Sequence, residues 1–319
     1  MSAPLPLIVG AEQIHAYLQS VSGLDATLRA AFAGLADGVT VQPPQTVTMF
    51  PGAGGDFITY LGVLEHERVF GVKVSPYLPT SGHPVITAWT LLMCMDTGLP
   101  LMLCDASALT RERTAGTTAL AVDMLAAPSA RTLAVIGTGS IAQAHLRRIL
   151  PLRSWKSVRM TSRSLKQRNA EERAMLERLA TGATLCDSVE EATHDADVVL
   201  LCTSSAVPVM DPTRLKRPAL ITSISTNAPG AHEVPPSALH DMDVYCDYAP
   251  TTPLQAGEMQ LATQLHSWNP ALLAGDLASL VAGRTPPDFT RHRFFRSIGL
   301  GIEDLAIAKH LFDHLKANA

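Results

Sequence analysis

The segment Arg131-Thr-Leu-Ala-Val-Ile-Gly-Thr-Gly-Ser-Ile-Ala-Gln-Ala-His145 decides the fold. An apolar run from Leu133 to Ile136 ends in Gly137, and Gly139 and Ala142 follow at fixed spacing. This is G-x-G-x-x-A, a strand that turns sharply into a helix. Gly137 permits the turn, Gly139 lets a pyrophosphate approach the backbone, and Ala142 allows close packing of helix on strand. The first turn of the helix offers unpaired N–H groups to the phosphates. Gly137, Thr138, Gly139, Ser140, Ile141 and Ala142 are therefore the candidate dinucleotide contacts.

Downstream, apolar strands alternate with helices. Val158 to Thr161, Asp197 to Cys202, Ala219 to Ile224 and Asp243 to Cys246 read as strands of a parallel sheet. Helices are expected over Leu165 to Ala180 and over Ala271 to Ala282, the latter closed by Gly283. The fold class is α/β, a Rossmann-type doubly wound sheet. Upstream, residues 11–36 read as helical, and residues 39–105 as short strands of a mainly antiparallel sheet. Leu109 to Ala126 is a helix, and Gly301 to Lys316 is an amphipathic helix at the C-terminal end. The second domain is thus an α+β layer.

An acid at the end of the second Rossmann strand would bind a ribose 2′-hydroxyl and repel a 2′-phosphate. Here the strand ends in Thr161-Ser162-Arg163-Ser164, whose hydroxyls and guanidinium suit a phosphate. Ser162 and Arg163 make NADP(H) the preferred cofactor, with NAD(H) possible. Thr203 follows another strand end, where such folds contact the nucleotide, although Ser and Thr are ordinary loop residues as well.

The 319 residues are enough for two domains, with 47% hydrophobic and 17% charged residues. A net charge of −4 supplies no basic footprint for nucleic acid. Five scattered cysteines read as thiols of a reducing compartment. No signal peptide and no membrane span is evident, so the expected location is the cytoplasm. No His/Cys spacing matches a metal site.

Other segments carry a resemblance. Leu109-Thr-Arg-Glu-Arg-Thr-Ala115, the G-x-G-x-x-A turn, Phe295-Arg-Ser-Ile-Gly299 with Glu303-Asp304, Lys73 in Gly-Val-Lys-Val, and Tyr60-Leu-Gly-Val63 are similar to the ornithine cyclodeaminase/mu-crystallin family. The resemblance runs from about residue 40 to the C-terminus. It implies a nucleotide-dependent enzyme, usually a homodimer. The substrate-binding and dimerisation domain would be residues 1–125 and 297–319, and the NAD(P)-binding domain residues 126–296. Members share hydride movement between nicotinamide C4 and the α-carbon of an amino or imino acid.

Lys73 lies in an apolar strand, where burial would lower its pKa and suit proton transfer. The resemblance makes it a substrate-binding general acid or base. The plain alternative is an edge lysine with its ammonium in water. Arg113 is placed by the resemblance on the substrate carboxylate, a task that suits its forked donors. Thr114 resembles a position near the cofactor. Two residues depart from the family. Gln45 stands where the family writes Pro-x-Arg, so it would bind the carboxylate without a charge. Asn227 stands where cyclodeaminases place an aspartate, and an amide cannot serve as a general base.

Asn227, and the absence from Tyr60 to Val63 of the further acid that the deaminases carry, point away from cyclodeamination. The expected activity is NAD(P)H-dependent reduction of a cyclic imino acid or ketimine of the Δ1-pyrroline-2-carboxylate type. Lys73 and Asn227 are its candidate catalytic residues. The alternatives are an ornithine cyclodeaminase, an amino-acid dehydrogenase, and a non-catalytic NADP(H)-binding, crystallin-like protein.

Overall fold

The computed structural model describes residues 5–82, 84–180, 182–225 and 230–318. Its contacts divide the chain into two units, Met1–Arg113 with Gly299–Ala319, and Thr114–Ile298. The first division falls inside a helix, at Arg113, whereas the sequence reading placed the domain boundary at that helix's end.

The first unit opens with β1 (Leu7–Val9), α1 (Ala11–Ser20) and α2 (Leu24–Ala36). Seven strands follow: β2 (Thr40–Val41), β3 (Thr46–Met49), β4 (Asp56–Leu64), β5 (Val69–Leu78), β6 (Val85–Ile86), β7 (Trp89–Cys94) and β8 (Pro100–Asp105). They form one sheet in the order β1-β8-β7-β5-β4-β2, with β3 also on β4 and β6 on β5. Every pairing is antiparallel except β1 with β8. Strand pleating sends alternate residues to opposite faces. Ile58, Tyr60, Leu64, Val69 and Lys73 are buried on one face.

Helix α3 (Ser107–Leu125) leads into the second unit. There β9 (Thr132–Ile136), α4 (Ser140–Ile149), β10 (Ser157–Thr161), α5 (Ala170–Arg178), β11 (Ala183–Leu185), α6 (Val189–Thr193), β12 (Val198–Leu201) and β13 (Leu220–Ser223) follow. The unit closes with β14 (Met242–Cys246), α7 (Gly257–His266), β15 (Gly275–Asp276), α8 (Leu277–Val281) and β16 (His292–Arg296). All eight strands are parallel, in the order β11-β10-β9-β12-β13-β16-β14-β15. This is the expected α/β doubly wound sheet. Its central strands are apolar throughout because both faces are covered: Val198, Val199, Leu200 and Leu201 are all buried.

Two expected helices are shorter than read. The one over 271–282 is only α8, because Asp276 pairs with Cys246 of β14 and then caps α8 by accepting from Ser279 N at 2.9 Å. Likewise α5 begins late, at its own cap, where Asn169 accepts from Glu172 N at 2.9 Å. In both cases a polar residue that can close a helix start outcompetes the apolar period read across it.

Helix α9 (Gly301–Ala317) belongs to the first unit and packs on α2, β4, β5 and β7. A Cβ on Gly301 would stand 2.2 Å from Leu61 O, so only glycine allows this approach to β4. The side chain of Gln42 accepts from Ile302 N at 3.1 Å, using one of the amides that the helix start leaves open. Among the described residues, no helix is long and apolar enough to cross a membrane.

Candidate active site

The close seating of α9 brings its acidic first turn against β5 and α3 within the first unit. Lys73 Nζ lies 2.8 Å from Asp304 Oδ2, with both side chains almost fully buried. Arg113 Nε donates to Asp304 Oδ1 at 3.0 Å, and its NH1 donates to Glu303 Oε2 at 2.9 Å. Lys73 also stands 4.0 Å from the centre of the Tyr60 ring, a cation–π contact. Two cations and two carboxylates therefore share one desolvated cluster.

The two cations respond differently. Burial draws the Lys73 ammonium down to about 8, with Arg113 adding to the fall and Asp304 opposing it. Burial also acts to lower Arg113, but Asp304 and Glu303 outweigh it and hold the guanidinium above its ordinary range. Lys73 is thus the group that can exchange a proton near neutral pH, while Arg113 is a fixed charge. The Arg113 guanidinium leaves no room beside Gly299, where a Cβ would stand 2.3 Å from NH1. Sequence reasoning brought Lys73 and Arg113 forward but gave Glu303 and Asp304 no role. The signal was present as two adjacent acids in the first turn of an amphipathic helix, directly before the apolar run Leu305–Ala308. Gln45 is half-buried in the segment before β3, and Asn227 lies outside the described residues.

In the second unit the glycine turn has the shape that a pyrophosphate needs. Gly137 adopts φ +124°, and a Cβ there would stand 2.3 Å from Cys202 O. A Cβ on Gly139 would meet nothing within 4 Å, so the space over the turn is open. Gly139 and Ser140 are exposed, Ile141 is half-buried, and Ala142 is buried against the sheet. These residues fit a dinucleotide. His145 has a structural place, with Nδ1 at 2.7 Å from Ile141 O and Nε2 at 3.0 Å from Thr118 Oγ1.

At the end of β10, Thr138 Oγ1 and Ser162 Oγ lie 2.9 Å apart, and Arg163 is exposed beyond them. Arg168, not singled out from the sequence, reaches back so that its NH2 is 3.3 Å from Thr138 Oγ1. Thr203 is turned inward. Its hydroxyl donates to Glu233 Oε1 at 2.6 Å and its amide to the same oxygen at 3.0 Å. Glu233 also accepts from Ser223 Oγ at 2.7 Å and from Ser225 N at 2.9 Å, so one buried carboxylate ties together the loops after β12 and β13. Thr114 is buried in the second unit's part of α3.

Known proteins resemble this chain in sequence and in fold. The chain is 52% identical over 313 residues to the NAD(P)H-dependent anabolic L-arginine dehydrogenase DauB of Pseudomonas aeruginosa, covering 98% of each protein. It is 27% identical to the ketimine reductase mu-crystallin of Mus musculus, covering 97% of each. In structure it matches the Δ1-pyrroline-2-carboxylate reductase of Thermococcus litoralis, solved with NADH and L-proline. The TM-score is 0.87, with 21% identity and 98% coverage of both chains, a likeness of fold. The sequence model of the ornithine cyclodeaminase/mu-crystallin family matches residues 7–319, and the chain belongs to that family.

Proposed function

We propose that this protein is an NAD(P)H-dependent oxidoreductase that interconverts an α-amino acid and its α-imino acid. The observation that carries the reading is the buried ammonium of Lys73, drawn down to about 8 inside a cluster that also holds Arg113. Nicotinamide, when bound, supplies or accepts the hydride at the α-carbon. Lys73 donates a proton to, or holds one at, the imine nitrogen. Arg113, its fork fixed by Glu303 and Asp304, orients the substrate carboxylate, and Gln45 adds an uncharged donor. Asn227, outside the described residues, is given its part in the reaction by the family resemblance alone. Gly137, Thr138, Gly139, Ser140, Ile141 and Ala142 hold the pyrophosphate, and Ser162 and Arg163 receive a 2′-phosphate where NADP(H) binds. Thr203, its hydroxyl bonded to Glu233, supports that nucleotide site by fixing the loop after β12, and Thr114 supports it as well.

The first unit serves substrate binding and homodimer formation, and the second serves dinucleotide binding. One row of the first unit's sheet supports the dimer. Leu61 pairs with Val72, Val72 with Leu91, Leu91 with Leu103, and Leu103 with Ile8. These side chains lie on the face opposite α9 and remain partly or fully exposed. An apolar row across five strands is what a second copy of the sheet would cover.

The sequence reading favoured a cyclic imine. The likeness to an L-arginine dehydrogenase favours an open-chain substrate with a guanidinium side chain, formed from a 2-oxo acid and ammonia. The test is nicotinamide absorbance with NADPH or NADH against two substrates. One is Δ1-pyrroline-2-carboxylate, and the other is 2-oxo-5-guanidinopentanoate with ammonia. Ammonia release from L-ornithine is assayed in parallel. Consumption of reduced nicotinamide is the expected result. Ornithine deamination with no net change in nicotinamide, or no turnover of either substrate, overturns the reading.

A further inference from the structure

The buried ion cluster stands at the start of α9, and the helix covers the first unit's sheet in one direction only. A Cβ on Gly301 would stand 2.2 Å from Leu61 O, and a Cβ on Gly71 would stand 3.0 Å from Leu305 Cδ2. Further along, Lys309 Nζ lies 3.2 Å from Glu67 Oε2, in the turn between β4 and β5. The helix thus runs from the Tyr60–Lys73 pair toward the Leu64–Val69 pair. On the other side of Lys73, β4 and β5 continue past its first turn to the Asp56–Tyr77 pair.

That stretch carries an acid with nothing to hold. Alternate residues of a strand share a face, so Tyr60, Ile58 and Asp56 on β4 line up with Lys73, Ser75 and Tyr77 on β5. Ile58 is buried, and the Ser75 hydroxyl is engaged, donating to Thr87 O at 3.2 Å. Asp56 is half-buried, and its carboxylate has no hydrogen bond or ion pair among the described residues. Its cross-strand neighbours, Met49 on β3 and Tyr77 on β5, are both exposed. The acids of the cluster, Glu303 and Asp304, are already engaged by Arg113 and Lys73. All of these residues belong to the first unit. A carboxylate partly withdrawn from water and left without a partner is placed to meet a cation. The Tyr77 ring beside it offers a face on which a planar guanidinium can lie.

The spacing selects the cation. Asp56 is four residues from Tyr60, about 13 Å along the strand at about 3.3 Å per residue. The carbon of a guanidinium at the end of three methylenes is five bonds of about 1.5 Å from the α-carbon, about 6 Å in zigzag. Its terminal nitrogens and a charge-assisted hydrogen bond of about 2.8 Å extend this to about 10 Å. The Asp56 side chain reaches across the rest. An ammonium on the same methylenes is two bonds shorter and has no fork.

We propose that Asp56 is a specificity residue that binds the distal guanidinium of the substrate, with Tyr77 against the guanidinium face and Ile58 under the methylenes. This rests on the amino-acid/imino-acid reading above and assigns the residue that recognises the side chain. The α-carboxylate lies on Arg113 and the α-nitrogen at Lys73. Because α9 closes the sheet on one side of them, a side chain that follows the sheet runs toward Asp56.

The test compares kcat/KM for 2-oxo-5-guanidinopentanoate with that for 2-oxohexanoate, which lacks the cation. Each is assayed with ammonia and NADPH or NADH, in the unaltered protein and in Asp56→Asn. In the unaltered protein the guanidino acid is expected to lead by about 10- to 100-fold, the scale of a hydrogen bond between charged groups. Asp56→Asn is expected to lose that lead, through KM rather than kcat, and Asp56→Glu to keep most of it. Equal losses on both substrates, as a merely structural role would give, overturn the proposal. An unaltered protein that reduces Δ1-pyrroline-2-carboxylate or 2-oxohexanoate but shows no preference for the guanidino acid overturns this inference alone. Turnover of none of the three overturns the functional reading beneath it. Should Asp56→Asn not fold, as thermal unfolding reports, Asp56→Ser takes its place. The same loss is expected of it, and an unchanged lead overturns the proposal.

Discussion

Lys73 Nζ stands 2.8 Å from Asp304 Oδ2, and Asp304 Oδ1 accepts from Arg113 Nε at 3.0 Å. One carboxylate therefore bridges the ammonium and the guanidinium, each through its own oxygen. Burial dominates the Lys73 titration and brings it to about 8. In the reducing direction Lys73 acts as an acid and must be protonated. The kcat/KM for imine reduction is expected to be flat at neutral pH and to fall as pH rises through about 8. Oxidation of the amino acid needs the neutral amine, so its profile rises through the same value. A pH–rate profile in both directions checks this, and Lys73→Met should remove the inflection along with about 10²- to 10⁴-fold of the rate.

The same shift makes a statement about stability. The native pKa of about 8 lies below the ordinary 10.5, so between those values the unfolded chain holds more of this proton than the folded chain does. The Lys73 contribution therefore opposes folding in full below pH 8 and is relieved as pH rises toward 10.5. Lys73→Met removes that slope but leaves Asp304 without its ammonium. Loss of one partner from a buried ion pair costs about 3–5 kcal/mol. Denaturant titrations of the two proteins across this pH window would show the difference.

The glycine turn separates folding from binding. At Gly137 a Cβ would stand 2.3 Å from Cys202 O, and φ +124° is a conformation that L-residues avoid. Gly137→Ala is expected to lower the thermal midpoint as well as nucleotide affinity. At Gly139 a Cβ meets nothing within 4 Å. Gly139→Ala should leave the midpoint in place and weaken NADH and NADPH alike, because the methyl occupies space reserved for pyrophosphate. Calorimetry of both variants with and without cofactor distinguishes the two. A Gly139→Ala protein that binds cofactor normally would contradict the proposed nucleotide site.

Cofactor choice should respond to two arginines of unequal visibility. Arg163 could be named from the sequence because it follows a strand end. Arg168 could not, because its approach to Thr138 depends on the short turn between β10 and α5. Arg163→Ala and Arg168→Ala are each expected to raise KM for NADPH about tenfold, the scale of one lost charge-assisted hydrogen bond, and to leave KM for NADH nearly unchanged. Equal effects on both cofactors would remove these residues from any 2′-phosphate site.

The contrast between these arginines marks what was legible. The second unit announced itself because G-x-G-x-x-A and fully apolar strands are local patterns that follow directly from ligand approach and two-sided burial. Lys73 was legible as a charge in an apolar strand. The pairing of Asp304 with Lys73, and of Glu303 with Arg113, was not, because it depends on α9 returning to β4 and β5 from the far end of the chain. Glu233 was invisible for the same reason, since its four donors come from two stretches that follow different strands. Thr203 shows the reverse case. A strand-end hydroxyl looked available, yet the fold spends it on Glu233.

The apolar row on the first unit's sheet carries the last prediction. Val72 of β5 lies between Leu61 and Leu91, and none of the three is covered by α9. An unpaired sheet face of this kind loses about 25 cal/mol for each Å² of apolar area left in water. A second copy related by a two-fold axis would present the same row and cover it. Val72→Glu places a charge at the centre of that contact while leaving the inward face, with Lys73 next to it, unaltered in sequence. Light scattering of the unaltered protein is expected to give twice the chain mass, and of Val72→Glu a single chain. If the unaltered protein is a monomer at micromolar concentration, the homodimer proposal fails. If Val72→Glu remains dimeric, the interface lies on another face of the molecule.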